Sequence, residues 1–140
     1  MCFALSQNRT KKTVDLVLNE FIPGCKEIDG GYAFNSTTDL TFDNEASVLR
    51  YLEDAKTEKG TIHWSKKEDN FDSIMIGAYF TSDGQLILGL TVSANGYREQ
   101  KYLKELKGIL GSDIGVISYS QFLEFDNGED FKNKYSLQHK

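Results

Sequence analysis

Residues 74–92 read IMIGAYFTSDGQLILGLTV, two apolar runs joined by a short polar segment. In each run the residues fall into two alternating sets, and an alternation with a period of two predicts a β-strand. The Asp83-Gly84 pair between the runs predicts the turn of a hairpin. Because both sets of positions are largely apolar, we expect this hairpin to lie at the centre of a sheet and to be covered by helices.

Other segments of the chain show helical or extended patterns. We expect helices over 8–21, 43–59 and 97–110, and a short fourth one over 130–135. The first begins at Asn8 or Thr10, and the second and third end at Gly60 and Gly111. Further strands are predicted over 32–34, 40–42, 61–65 and 114–119.

This order of elements predicts the fold class α+β, with a mainly antiparallel sheet, a central hairpin and about three packed helices. Because the last strand follows a helix, it is expected to add a parallel pair at one edge. We expect residues 1–140 to form a single domain, with 121–140 as a candidate appended tail segment.

The bulk composition favours an ordinary globular domain and excludes several classes. The net charge of −5 argues against a nucleic-acid binder, which usually presents a basic face. Two cysteines, Cys2 and Cys25, have neither metal-ligand nor redox spacing and do not form a disulfide scaffold. With no long apolar run for a signal peptide or a membrane span, we expect a cytoplasmic protein with no membrane partner.

Candidate catalytic and metal-binding residues are few. The two histidines are His63, in a predicted strand, and His139, next to the end of the sequence. Neither accompanies a recognisable nucleophile and orienting acid, so we expect no catalytic residue, no cofactor and no enzymatic activity. The acidic stretch 124–130 lacks the ligand spacing of a calcium loop, and we therefore expect no metal site. A small hydrolase that uses carboxylate or His63 chemistry stays open as an alternative.

Basic residues form two groups that do not require nucleic acid. One group is Arg9, Lys11 and Lys12, and the other is a stripe on the predicted helix 97–110. Glutamates alternate with the bases of the stripe, which a salt-bridged, solvent-exposed helix face explains.

Acidic residues are concentrated at both ends of the second predicted helix and after the last predicted strand. Our candidate partner-binding residues are Glu124, Asp126, Glu129 and Asp130, with Asp43 and Glu45 second. Aromatic residues surround the first group, namely Tyr119, Phe122, Phe125, Phe131 and Tyr135. Acids with aromatic anchors are suited to docking a basic protein, because charge complementarity speeds association and buried aromatics supply affinity. The alternative is that these aromatics attach the C-terminal segment to the core.

Two stretches, residues 72–90 and 117–122, are similar to the central hairpin and C-terminal strand of bacterial immunity proteins. The chain as a whole resembles the small acidic immunity proteins of toxin–immunity systems, including contact-dependent growth inhibition. The resemblance implies that the protein binds one cognate toxin domain, often a basic nuclease, and blocks its active site or an adjacent surface. A small-molecule-binding or structural domain is the main alternative, and the oligomeric state stays open.

Overall fold

The computed structural model describes residues 2–6, 8–21, 32–36, 45–55, 57–66, 74–92, 96–117, 125 and 127–135. Within these residues the strands are β1 (Cys2–Ser6), β2 (Tyr32–Ser36), β3 (Gly60–Lys66), β4 (Ile74–Phe80), β5 (Leu86–Val92) and β6 (Gly115–Ile117). The helices are α1 (Lys11–Phe21), α2 (Glu45–Asp54), α3 (Gly96–Leu110) and α4 (Gly128–Tyr135). The prediction of an α+β fold is confirmed.

The six strands form one sheet in the order β2-β3-β4-β5-β1-β6, and each neighbouring pair is antiparallel. The predicted hairpin, β4 and β5, occupies the middle of this order. Its turn closes through Thr81, whose N–H donates to Gln85 O at 3.0 Å. Gly84 has a φ of 81°, the left-handed conformation that a three-residue hairpin loop requires at its last position.

Both faces of the sheet carry apolar cores, as the two-sided pattern of the hairpin predicts. One face packs against α1, α2 and α3 and buries the bulky residues of β3, β4 and β5, including Trp64 and Phe80. The other face packs against α4, whose Phe131 is fully buried between Leu5 and Ile87 of the sheet and their neighbours. Helices α1, α2 and α3 therefore cover one face of the central hairpin, whereas α4 covers only part of the other face, where Met75 of β4 is 44% exposed.

Strand β1 was not predicted, and the prediction of a parallel edge was wrong. All five residues of β1 are buried, so the segment shows no alternation between apolar and polar positions. It lies between β5 and β6, and Cys2 is opposite Leu90 on one side and Ile117 on the other. Because β1 runs antiparallel to β6, the last strand joins the sheet without a parallel pair.

Helix boundaries agree with the prediction except at the end of α2. Thr10 caps α1, because Thr13 N–H donates to Thr10 Oγ1 at 3.2 Å. Gly111 ends α3 with a φ of 64°, as predicted. Helix α2 ends at Asp54 rather than at Gly60, which instead begins β3. The predicted strand 40–42 lies outside the described residues.

Candidate functional site

The end of α2 is fixed by the side chain of Arg9, which lies between β1 and α1 in the sequence. Arg9 is only 7% exposed. Its five N–H groups donate to five backbone carbonyls: Leu52 O (2.9 Å), Thr81 O (2.5 Å), Gln85 O (3.1 Å), Ala55 O (3.1 Å) and Glu58 O (2.8 Å). Such an arginine satisfies carbonyls at the end of a helix and holds them against the hairpin turn.

This network and one ion pair account for two members of the first basic group in the sequence, Arg9 and Lys11. All donors of Arg9 are used inside the protein, and its guanidinium also lies 5.2 Å from the centre of the Phe80 ring. Burial lowers the pKa of Arg9, whereas the negative charge of Asp83 raises it. Lys11 pairs with Asp15 at 2.8 Å on α1. Arg9 and Lys11 thus have intramolecular partners.

The hairpin turn is joined to α4 through Asp83. Its Oδ1 accepts from Gly128 N–H at 3.0 Å, and its Oδ2 accepts from Glu129 N–H at 2.9 Å. Thr81 Oγ1 donates to the same carboxylate at 2.5 Å. Asp83 therefore caps the N-terminus of a helix that begins 45 residues later in the chain.

The charge of Asp83 is favoured by these contacts. Partial burial by itself raises the pKa of this carboxyl group, but the hydrogen bonds from Thr81, Glu129 and Gly128 outweigh burial and lower the pKa. The carboxylate is thus held in its ionised form at the positive end of the α4 dipole.

The contact between the turn and α4 is tight as well as polar. A Cβ atom placed on Gly128 would lie 2.5 Å from Gln85 Cβ, which real side chains do not tolerate. Asn127 supplies a second, local cap, since Asp130 N–H donates to its Oδ1 at 2.8 Å. We call the exposed surface formed by residues 82–84 and 127–130 the tip surface.

Aromatic side chains also attach α4 to the sheet. Phe125 and Phe131 meet edge to face at 5.4 Å between ring centres, and Phe131 and Tyr135 are 4.8 Å apart. Phe125 also meets Tyr79 of the sheet at 6.0 Å. For these aromatics the structure favours the second alternative, attachment of the C-terminal segment to the core. Tyr119 and Phe122 lie outside the described residues.

Two of the six predicted partner-binding residues are described with their side chains. Glu129 and Asp130 form the first turn of α4, and Glu129 is exposed. Asp130 pairs with Lys134 at 3.2 Å, which neutralises part of its charge. Glu45 is the first residue of α2, while Asp43, Glu124 and Asp126 lie outside the described residues. Asp83, which sequence reasoning assigned only to a turn, lies beside Glu129.

His63 lies on the same sheet face as α4. Its Nε2 is 3.3 Å from the hydroxyl of Tyr79, and the two rings meet edge to face at 5.6 Å. Burial lowers the pKa of His63 and raises that of Tyr79. The Tyr79 ring covers Gly77, where a Cβ would lie 2.9 Å from it. In the described part of the chain, this histidine has contacts that suit packing in the sheet, and no carboxylate bonds to it.

Across the residues that the structure describes, no group of three or more His, Cys, Asp or Glu side chains is arranged to hold a metal ion. None of the described helices combines the length and the apolar character needed to cross a membrane. No family model, curated protein or solved structure matches this chain.

Proposed function

We propose that this protein is an immunity protein, which binds a cognate toxin domain and neutralises it without catalysing a reaction. In this proposal the protein acts in the cytoplasm, and its tip surface contacts the toxin. The partner is a basic domain, such as a nuclease, whose active site or adjacent surface becomes covered. Acidic side chains then occupy positions that the phosphates of a substrate would otherwise take.

Support comes chiefly from the way in which Glu129 is presented. Its helix is fixed to the hairpin turn by Asp83 and to the sheet by Phe131, so the exposed carboxylate is held on a rigid support. Preorganised charges lose little conformational entropy when a partner binds. The net charge of −5 adds a long-range attraction for a basic protein.

Of the two predicted contact residues that lie in the tip surface, Glu129 and Asp130, the first is the stronger candidate, because Asp130 shares its charge with Lys134. Asp83 contributes negative potential, but its oxygens already accept two backbone N–H groups and one hydroxyl. We therefore assign direct contact to Glu129, and assign to Asp83 the positioning of the helix that carries it.

The first test is a pull-down of the tagged protein from a lysate of its own cells, washed at rising salt and read by mass spectrometry. We expect one dominant basic partner in equal amount, which is released as the salt concentration rises. An empty bait would exclude this proposal.

The second test concerns the surface that binds. A variant with Glu124→Gln, Asp126→Asn, Glu129→Gln and Asp130→Asn should weaken toxin binding about tenfold or more at low salt, and should flatten its salt dependence. A control that neutralises two exposed acids on α1 and α2, Glu20→Gln and Asp54→Asn, is matched in charge to the double variant Glu129→Gln and Asp130→Asn. Unchanged affinity and unchanged salt dependence in the first variant would refute the assignment of this surface.

A further inference from the structure

A cleft of about 530 Å³ lies beside the tip surface, where four parts of the chain meet. These are the end of β1, the hairpin turn, the α3–β6 connection and α4. Its lining residues are Leu5, Ser6, Arg9, Gly84, Gln85, Ser112, Asp113, Ile114 and Lys132. This volume falls in the range of small-molecule sites, which span about 300–1,000 Å³.

Some polar side chains of the cleft already form hydrogen bonds within the protein, and others form none with the described residues. Arg9 has no N–H group left, because all five donate to carbonyls. Ser6 Oγ is bound to Asn8. By contrast, the side chains of Gln85, Asp113 and Lys132 make no hydrogen bond or ion pair with any residue that the structure describes.

Asp113 and Lys132 line the same cleft with opposite charges, yet they do not form an ion pair with each other. Each of these side chains can therefore form an ion pair with an oppositely charged group of a ligand. The cleft also has an apolar part formed by Leu5 and Ile114, both of which belong to the apolar core between the sheet and α4. An amide that can donate and accept, from Gln85, lies in the same cleft.

We infer that the cleft binds a small zwitterion with an aliphatic body, of the amino-acid type. Lys132 binds its carboxylate, Asp113 binds its ammonium group, and Leu5 and Ile114 contact the aliphatic body. Gln85 donates to the carboxylate or accepts from the ammonium group. This inference is independent of the proposed binding of a toxin.

The test uses L-leucine and two analogues that each lack one charge. Isoamylamine has the same aliphatic body with the ammonium group alone, and 4-methylpentanoate has it with the carboxylate alone. Binding to the full chain is followed by amide NMR shifts, and we expect saturable shifts around Gln85, Ile114 and Lys132. Leucine should bind about tenfold or more tightly than either analogue.

The variants then assign each charge. Lys132→Met should reduce leucine binding to the level of isoamylamine without changing the affinity for isoamylamine. Asp113→Asn should reduce leucine binding to the level of 4-methylpentanoate. Lys134→Met and Asp54→Asn, on residues that do not line the cleft, are matched controls. The inference is overturned if leucine produces no saturable shifts, or if it binds Lys132→Met and Asp113→Asn as it binds the parent.

Discussion

Replacement of Arg9 by methionine should destabilise the protein strongly, although the side chain carries no expected function. Methionine keeps much of the aliphatic stem that packs near Phe80 but provides no N–H donors. At about 1 kcal/mol of net stabilisation for each hydrogen bond, the five bonds of Arg9 amount to about 5 kcal/mol.

Three corrections apply, of which the first two reduce the expected loss of stability and the third increases it. Three of the five carbonyls keep a backbone donor without Arg9: Ala55 O from Glu58, Thr81 O from Gly84, and Gln85 O from Thr81. The variant also avoids the cost of burying a guanidinium group. Carbonyls that lose their donor add a desolvation cost of about 1–3 kcal/mol each. We therefore expect a loss of about 3–5 kcal/mol in the free energy of unfolding, with about half of that for Arg9→Lys.

The assay is equilibrium unfolding in urea, followed by the fluorescence of Trp64, the single and fully buried tryptophan. Lys12→Met removes the same charge from an exposed site in the same segment, and should change the free energy of unfolding by less than about 0.5 kcal/mol. A loss below about 1 kcal/mol for Arg9→Met, or a lysine variant as stable as the parent, would refute the role assigned to the guanidinium.

Three other predictions concern glycine, pH and tryptophan. Gly128→Ala should lower the free energy of unfolding by about 1–3 kcal/mol and loosen α4 in hydrogen exchange, because the added Cβ would overlap Gln85. Gly108→Ala, where the added Cβ meets open space, should instead raise the free energy of unfolding by about 0.5–1 kcal/mol. Equal effects of the two substitutions would contradict this reasoning. Because folding lowers the pKa of Asp83, its stabilisation of α4 is present above the ordinary value of 3.8 and is lost as pH falls through the folded value. The amide shift of Gly128, which donates to Asp83, should therefore show a titration step below that value in the parent, and Asp83→Asn should remove the step; a step that persists in Asp83→Asn would contradict this. Trp64→Phe should lower the free energy of unfolding, measured by circular dichroism, by only about 1 kcal/mol, because it also removes a buried indole N–H that has no hydrogen-bond partner among the residues that the structure describes; a loss above about 3 kcal/mol would contradict this.

The parts of the fold that sequence reasoning predicted correctly depend on local signals. The hairpin follows from alternation and an Asp-Gly turn, and the end of α3 follows from Gly111, whose positive φ is easily adopted by glycine. Strand β1 gave no such signal, because it is buried on both faces and its five residues do not alternate.

Long-range contacts explain the remaining differences. Helix α2 stops early because Arg9, 43 residues before Leu52, binds the carbonyls that the helix leaves open. The acids in the first turn of α4 were identified from sequence, but their neighbour Asp83 was not. Its two partners in α4 are 45 and 46 residues away, and no spacing rule connects a hairpin turn to a distant helix start.

The position of β1 in the sheet also has a consequence for the order of folding. Cys2 pairs with Leu90 and Ile117, so the first described strand acquires its neighbours only when the last two described strands are available. Loops of this length must close before β1 gains any hydrogen bond, which slows folding in chains rich in distant contacts. During synthesis on the ribosome the apolar segment 2–6 therefore has no strand partner until residues 86–92 and 115–117 have been made. Its pairing with β5 and β6 joins the last described strand to the rest of the sheet.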